Sequence, residues 1–157
     1  MSYLILPKGT LLQIEAKDPL ATPAVTTLQF NKVSEHNRSE FTQGSMRIEN
    51  TQRMSNGTLR KHFVADKATF DVSWDLLPAY RAYTVDGYWG AEDLKTFYES
   101  AEGAGSFRIR INYAKDGTNQ ESSGYEEFTV VFTSFTSVLQ KRGVQAHYNV
   151  SMSLEEV

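Results

Sequence analysis

The 157-residue chain has no cysteine. That one absence removes disulfides, thiolate metal sites and a cysteine nucleophile together, and it leaves the redox compartment undecided. No run of about 18 apolar residues occurs, so a membrane-spanning helix is not expected. The N-terminal stretch lacks a basic start followed by an apolar run, so no secretion signal is expected either. Charge of one sign is also in short supply. A net charge of −3 argues against a strongly basic nucleic-acid binder, while leaving room for a local basic patch. Neither the charged share of 22% nor the hydrophobic share of 40% suggests disorder. The expected organisation is one domain over residues 1–157, long enough to bury a substantial core.

Chemical motifs are missing as well. His36, His62 and His147 lie in unrelated contexts, with no pair at metal-ligand spacing. Gly103-Ala104-Gly105 follows a predicted helix, whereas a phosphate-cradling loop follows a strand. No G-x-S-x-G is present. Asp71, Asp75 and Asp86 match no calcium loop and read as solvated carboxylates or turn caps. Three Asn-x-Ser/Thr matches (Asn37, Asn56, Asn149) read as chance without a secretion signal. The expectation is a protein that is not an enzyme and uses no cofactor and no metal.

What is present begins with one helix, expected over about 89–101. Glu92 and Asp93 put negative charge in its first turn, where the helix dipole favours it. Ala91, Leu94, Phe97, Tyr98 and Ala101 recur at spacings of three and four, which makes one apolar stripe. Gly103 and Gly105 stop it. Three turns are marginal alone, so the helix needs a sheet to lie on.

The rest reads as strands and turns. Tyr3-Leu4-Ile5-Leu6 and Leu11-Leu12-Gln13-Ile14-Glu15 suggest a hairpin. Residues 16–44 read as a long loop, with room for a short strand at 25–30. Residues 45–65 have the outline of a hairpin about Asn56-Gly57, polar on both arms through Arg47, Glu49, Gln52, Arg53, Arg60, Lys61 and His62. Asp66-Lys67 reads as a further turn. Residues 68–75, 107–113 and 144–155 each alternate apolar and polar, the signature of half-buried strands. Residues 127–139 change which side is apolar partway, which predicts a bulge or a change of packing partner. The last two of these runs should pair antiparallel.

Strands with one apolar face must bury it against a sheet or a helix. The expected fold is therefore mainly β: a two-sheet antiparallel β-sandwich or partly open barrel with one flanking α-helix. Trp74, Tyr80, Tyr83, Tyr88 and Trp89 crowd the approach to the helix. They fit core filling, a protein interface, or stacking on sugars or bases. The alternative function that follows from the last is a carbohydrate- or receptor-binding β-sandwich using the Trp74–Trp89 aromatics.

The order of these pieces resembles the structural proteins of bacteriophage tails that share the tail-tube fold. The likeness is carried by residues 63–74, by Thr84-Val85-Asp86-Gly87 with the helix at 91–101, by 107–113, and by 127–157 ending in Ser151-Met152-Ser153-Leu154-Glu155-Glu156-Val157. The resemblance implies a virion structural protein of a tail tube, tube initiator, distal tail or baseplate hub. It implies self-association into a ring, commonly six-fold, with neighbouring tail or baseplate proteins as partners. Double-stranded DNA would pass transiently during genome ejection without specific binding, and no membrane would be involved. The protein would be made in the host cytoplasm and reside in the virion tail. The assembly-interface residues expected on this reading are Arg47, Glu49, Arg53, Arg60, Lys61, Tyr88 and Trp89.

Overall fold

A computed structural model describes residues 11–112 and 125–157. Seven strands form one antiparallel sheet: β1 (Leu12–Asp18), β2 (Val25–Lys32), β3 (Arg38–Arg53), β4 (Leu59–Pro78), β5 (Phe107–Asn112), β6 (Tyr125–Arg142) and β7 (Ala146–Glu156). Their order across the sheet is β2-β1-β5-β6-β7-β4-β3. The sheet curls into a half-barrel, so of the two expected arrangements the partly open barrel is the one found.

The core follows from strand alternation. Ile14 on β1, Ile109 and Ile111 on β5, Val130 on β6, Met152 and Leu154 on β7, and Phe70, Val72 and Trp74 on β4 all bury their side chains on the inner face. Helix α1 (Ala91–Glu99) closes that face with Ala91, Leu94 and Phe97 buried. Phe97 meets Phe107 edge-on at 4.9 Å, and Tyr98 stacks on Phe135 at 4.8 Å. Burial of a Leu or Phe side chain of this kind contributes about 1.5–3 kcal/mol.

Several expected boundaries move. The single helix is broken at Ser100 and resumes as a short α2 (Ala101–Ala104). The Ser100 hydroxyl donates to the Phe97 carbonyl at 2.6 Å and accepts from the Gly103 N–H at 3.2 Å, taking over backbone bonds a continuous helix would use. The loop expected at about 16–44 contains the end of β1, the start of β3 and all of β2, the last where a short strand was expected at 25–30. Its weak patterning reflects β2's place at the sheet edge, where Thr26, Thr27, Leu28 and Gln29 are all exposed. No turn forms at Asp66-Lys67. Strand β4 runs straight through, because Asp66 and Lys67 pair in register with Arg47 and Met46 of β3.

The apolar switch within residues 127–139 coincides with a register shift between Phe132 and Ser134. Below Val130 strand β6 pairs with β5, and above it with β7 alone. Strand β1 pairs with β2 and β5. The partner expected for it at Tyr3–Leu6 lies outside the described residues. Among the described residues no helix is long and apolar enough to cross a membrane.

Candidate assembly surface

Strand β4 pairs with β7 only from Thr69 onward, whereas it pairs with β3 all the way back to Leu59. Residues 45–53 and 59–68 therefore leave the sheet as a two-stranded arm. At about 3.4 Å per residue it is roughly 30 Å long. Its tip closes through bonds between Met54 and Thr58 and between Gly57 N–H and Met54 carbonyl, both 2.8 Å. Gly57 has φ +87°, a conformation that favours glycine and explains the Asn-Gly signal.

Five of the expected interface residues meet on this arm. Arg47 makes a two-point contact with Asp66 at 2.7 and 3.2 Å. That contact holds the Asp66 carboxyl below its ordinary value and raises the Arg47 guanidinium. Lys61 pairs with Glu49 at 2.7 Å. Arg53 donates to the Gly57 carbonyl at 3.0 Å instead of to a carboxylate. Among the described residues Arg60 has no carboxylate partner.

Sequence reasoning took the arm as polar and overlooked its apolar members. Met46, Ile48, Met54, Leu59, Phe63 and Val64 are all exposed, Leu59, Phe63 and Val64 by more than half. The signal was in the sequence, since these residues interleave with the charged ones. A two-stranded ribbon has no core to put them in.

The aromatic group divides. Trp74 and Trp89 are 1% and 4% exposed and belong to the core, while Tyr80 and Tyr83 are exposed. Trp89 is therefore not an exposed interface residue of the single chain, and of the Trp74–Trp89 aromatics only Tyr80, Tyr83 and half-buried Tyr88 present rings to solvent. Trp89 serves as a tether. Its backbone bonds Lys32 and Ser34, and its indole N–H reaches Asp18 at 3.4 Å. Half-buried Tyr88 lies under the Lys32 ammonium at 5.3 Å, beyond the end of β4 opposite to the arm.

Next to Trp89 is a group that the sequence did not suggest. Arg81 donates to both oxygens of Asp18 at 2.7 Å and to Asp93 at 2.6 Å. Asp93 also accepts the Gly90 N–H at 3.0 Å and so caps helix α1. Burial pushes the Asp18 carboxyl up, but hydrogen bonds from Arg81 and Trp89 and the Arg81 charge outweigh it and leave it below its ordinary value. The three residues are too far apart in sequence for spacing to reveal them. Beside them an apolar cleft of about 330 Å³ opens between α1 and the β1–β2 connection.

The isolated carboxylates are accounted for. Asp86 caps a turn by accepting from Ser34 and from the Glu35 and Tyr88 N–H groups. Asp71 and Asp75 accept from Ser153 and Ser39. Among the described residues no group of His, Cys, Asp and Glu is placed to hold a metal ion.

These features define a mainly β chain built round one curled sheet, with a projecting two-stranded arm. No protein-family model matches the sequence, and no curated protein does. Among solved structures, a chain of one described as the tail of an empty GTA particle computed with helical refinement, C6 symmetry, has a similar fold. The TM-score is 0.54 at 9% identity, covering 94% of this chain and 90% of that one. At that identity the likeness is one of fold.

Proposed function

We propose that the chain is a ring-forming structural subunit of a phage-like tail, placed in the tail tube or the tube-to-baseplate hub. On this reading it is a non-enzymatic virion component that associates with itself, in a six-fold ring, and with neighbouring tail or baseplate proteins. The ring forms part of the conduit for genome ejection. The observation that carries the reading is the arm: roughly 30 Å of two-stranded ribbon with exposed apolar side chains along it. Unpaired strand edges of this kind are templates for another chain, and a partner would bury what the monomer leaves in water. The fold shared with a tail particle of C6 symmetry supports a head-to-tail contact that closes into a ring.

A wall for passing DNA should not hold phosphates. The outer face of β3, β4 and β7 suits that task. Glu40, Asp71 and Asp75 stand there among Ser39, Thr42, Ser73, Ser151 and Ser153. Among the described residues none of the three carboxylates is ion-paired.

Electron microscopy of the concentrated, purified protein, together with sedimentation velocity, tests the proposal. Rings or stacked tubes are the expected result. Monodisperse monomers at every concentration overturn it.

A further inference from the structure

The cleft beside α1 and the tip of the arm are complementary, and among the described residues neither is filled by the chain's own core. Leu20 and Val25 form one wall of the cleft, Thr96 and Phe97 the other, and Trp89 contributes to its lining. Its volume of about 330 Å³ falls at the small end of the roughly 300–1,000 Å³ of pockets that take a ligand. Glu102 stands at its edge, 3.5 Å from Lys17. The helical segment over it, residues 91–104, carries four carboxylates against one lysine; Asp93 is held by Arg81 and Glu102 is shared with Lys17, which leaves Glu92 and Glu99 as its other acidic groups.

The arm is the opposite in sign. Residues 45–68 carry five cations against two carboxylates, a net charge of +3. Both carboxylates are already engaged, Asp66 by Arg47 and Glu49 by Lys61. Of the three cations left over, Lys67 at the base of the arm donates to the Val157 carbonyl at 2.9 Å, and Arg53 and Arg60 stand at the tip. Met54 and Leu59 flank the same turn and are 41% and 55% exposed. The tip thus presents two aliphatic side chains framed by two cations, and the cleft presents an apolar slot under an acidic helix.

We infer that the arm tip of one copy docks in the α1 cleft of a second copy, with Met54 and Leu59 entering between Phe97 and Val25 and Arg60 facing Glu102. The contact joins two different surfaces, so it is heterologous and propagates from copy to copy. Apolar burial in the slot supplies affinity, and the opposed charges set orientation and the rate of encounter. This docking rests on the proposed self-association and adds to it the identity of the two contacting surfaces.

The absence of cysteine makes the test direct. A chain carrying both Met54→Cys and Thr96→Cys is concentrated, oxidised and run on a non-reducing denaturing gel, with its assembly followed by sedimentation. A ladder of covalent dimers and larger species, absent from either single variant and lost on reduction, is the expected result. Leu59→Asp should raise the concentration needed for assembly at least tenfold while leaving the circular dichroism spectrum unchanged. Arg60→Glu should weaken assembly, and Glu102→Arg in the same chain should restore it. Assembly without a ladder, unaffected by Leu59→Asp, overturns the docking, assigns the cleft to another occupant and leaves the tail-subunit reading standing. A chain that sediments only as monomer overturns both.

Discussion

Arg81 grips Asp18 through both carboxylate oxygens at 2.7 Å, joining the end of β1 to the turn that precedes helix α1, 63 residues later in the chain. The same guanidinium holds Asp93, so the cap of α1 and the end of β1 share one cation. Both carboxylate side chains are buried, at 6% and 4% exposure, and Arg81 is only partly so at 27%. Removing the cation strands two buried charges. Arg81→Ala should therefore destabilise the fold by an amount near the lower end of the roughly 3–5 kcal/mol seen when one partner of a buried pair is lost. Urea denaturation measures it, and a loss below about half a kcal/mol would show the network to be incidental.

The same group predicts a pH dependence. Asp18 has a lower pKa in the folded protein than a free carboxyl, whose value is about 3.9. Its contribution to stability is thus complete above about pH 4 and is lost as pH falls through the lower folded value. Asp18→Asn should lower stability at neutral pH and flatten the stability profile below about pH 4. Melting curves across an acid series on wild type and variant would reveal the difference, and parallel profiles would exclude Asp18 as a source of acid sensitivity.

Docking of the helix is tested at Leu94 and Phe97, which are 0% and 5% exposed. Leu94→Ala should cost about 2–5 kcal/mol and Phe97→Ala about 3–5 kcal/mol, from lost transfer energy and the cavity left behind. Denaturant midpoints unchanged in both variants would show that α1 is not packed on the sheet.

The tip of the arm can be removed without touching the core. Gln52–Thr58 pairs with no residue of β7, and strand β4 is held from Thr69 onward by its ladder with β7. A chain lacking residues 52–58 should keep its circular dichroism spectrum and lose assembly in sedimentation. Rings of normal size from that chain would eliminate the arm's tip as the joint.

Assembled protein should not retain duplex DNA at physiological salt. Arg47 and Lys61 are neutralised within the chain, and Glu40, Asp71 and Asp75 repel phosphate from the outer face. A filter-binding titration tests this. Tight binding with the steep salt slope of several neutralised phosphates would favour a DNA-contacting connector over a conduit.

Much of the fold was legible because it depends on local periodicity. Alternation located β5 and β7, three-and-four spacing located α1 with Leu94 and Phe97 on its buried face, and Asn56-Gly57 marked the arm's turn. The break in residues 127–139 was visible as a change of apolar side, and a register shift lies there. Tertiary structure alone decided the rest. Strand β2 was obscure because an edge strand exposed on several positions in a row carries no two-residue rhythm. Asp66-Lys67 has turn-like composition, yet pairing with Arg47 and Met46 keeps it extended, since a cross-strand ion pair and a continuous ladder outweigh local preference. Trp89 could not be placed inside or outside from sequence, because its burial depends on Asp18, Val33 and Phe97 arriving from three other segments. Asp18, Arg81 and Asp93 form a site only because a curled sheet brings the end of its first strand against the start of its helix.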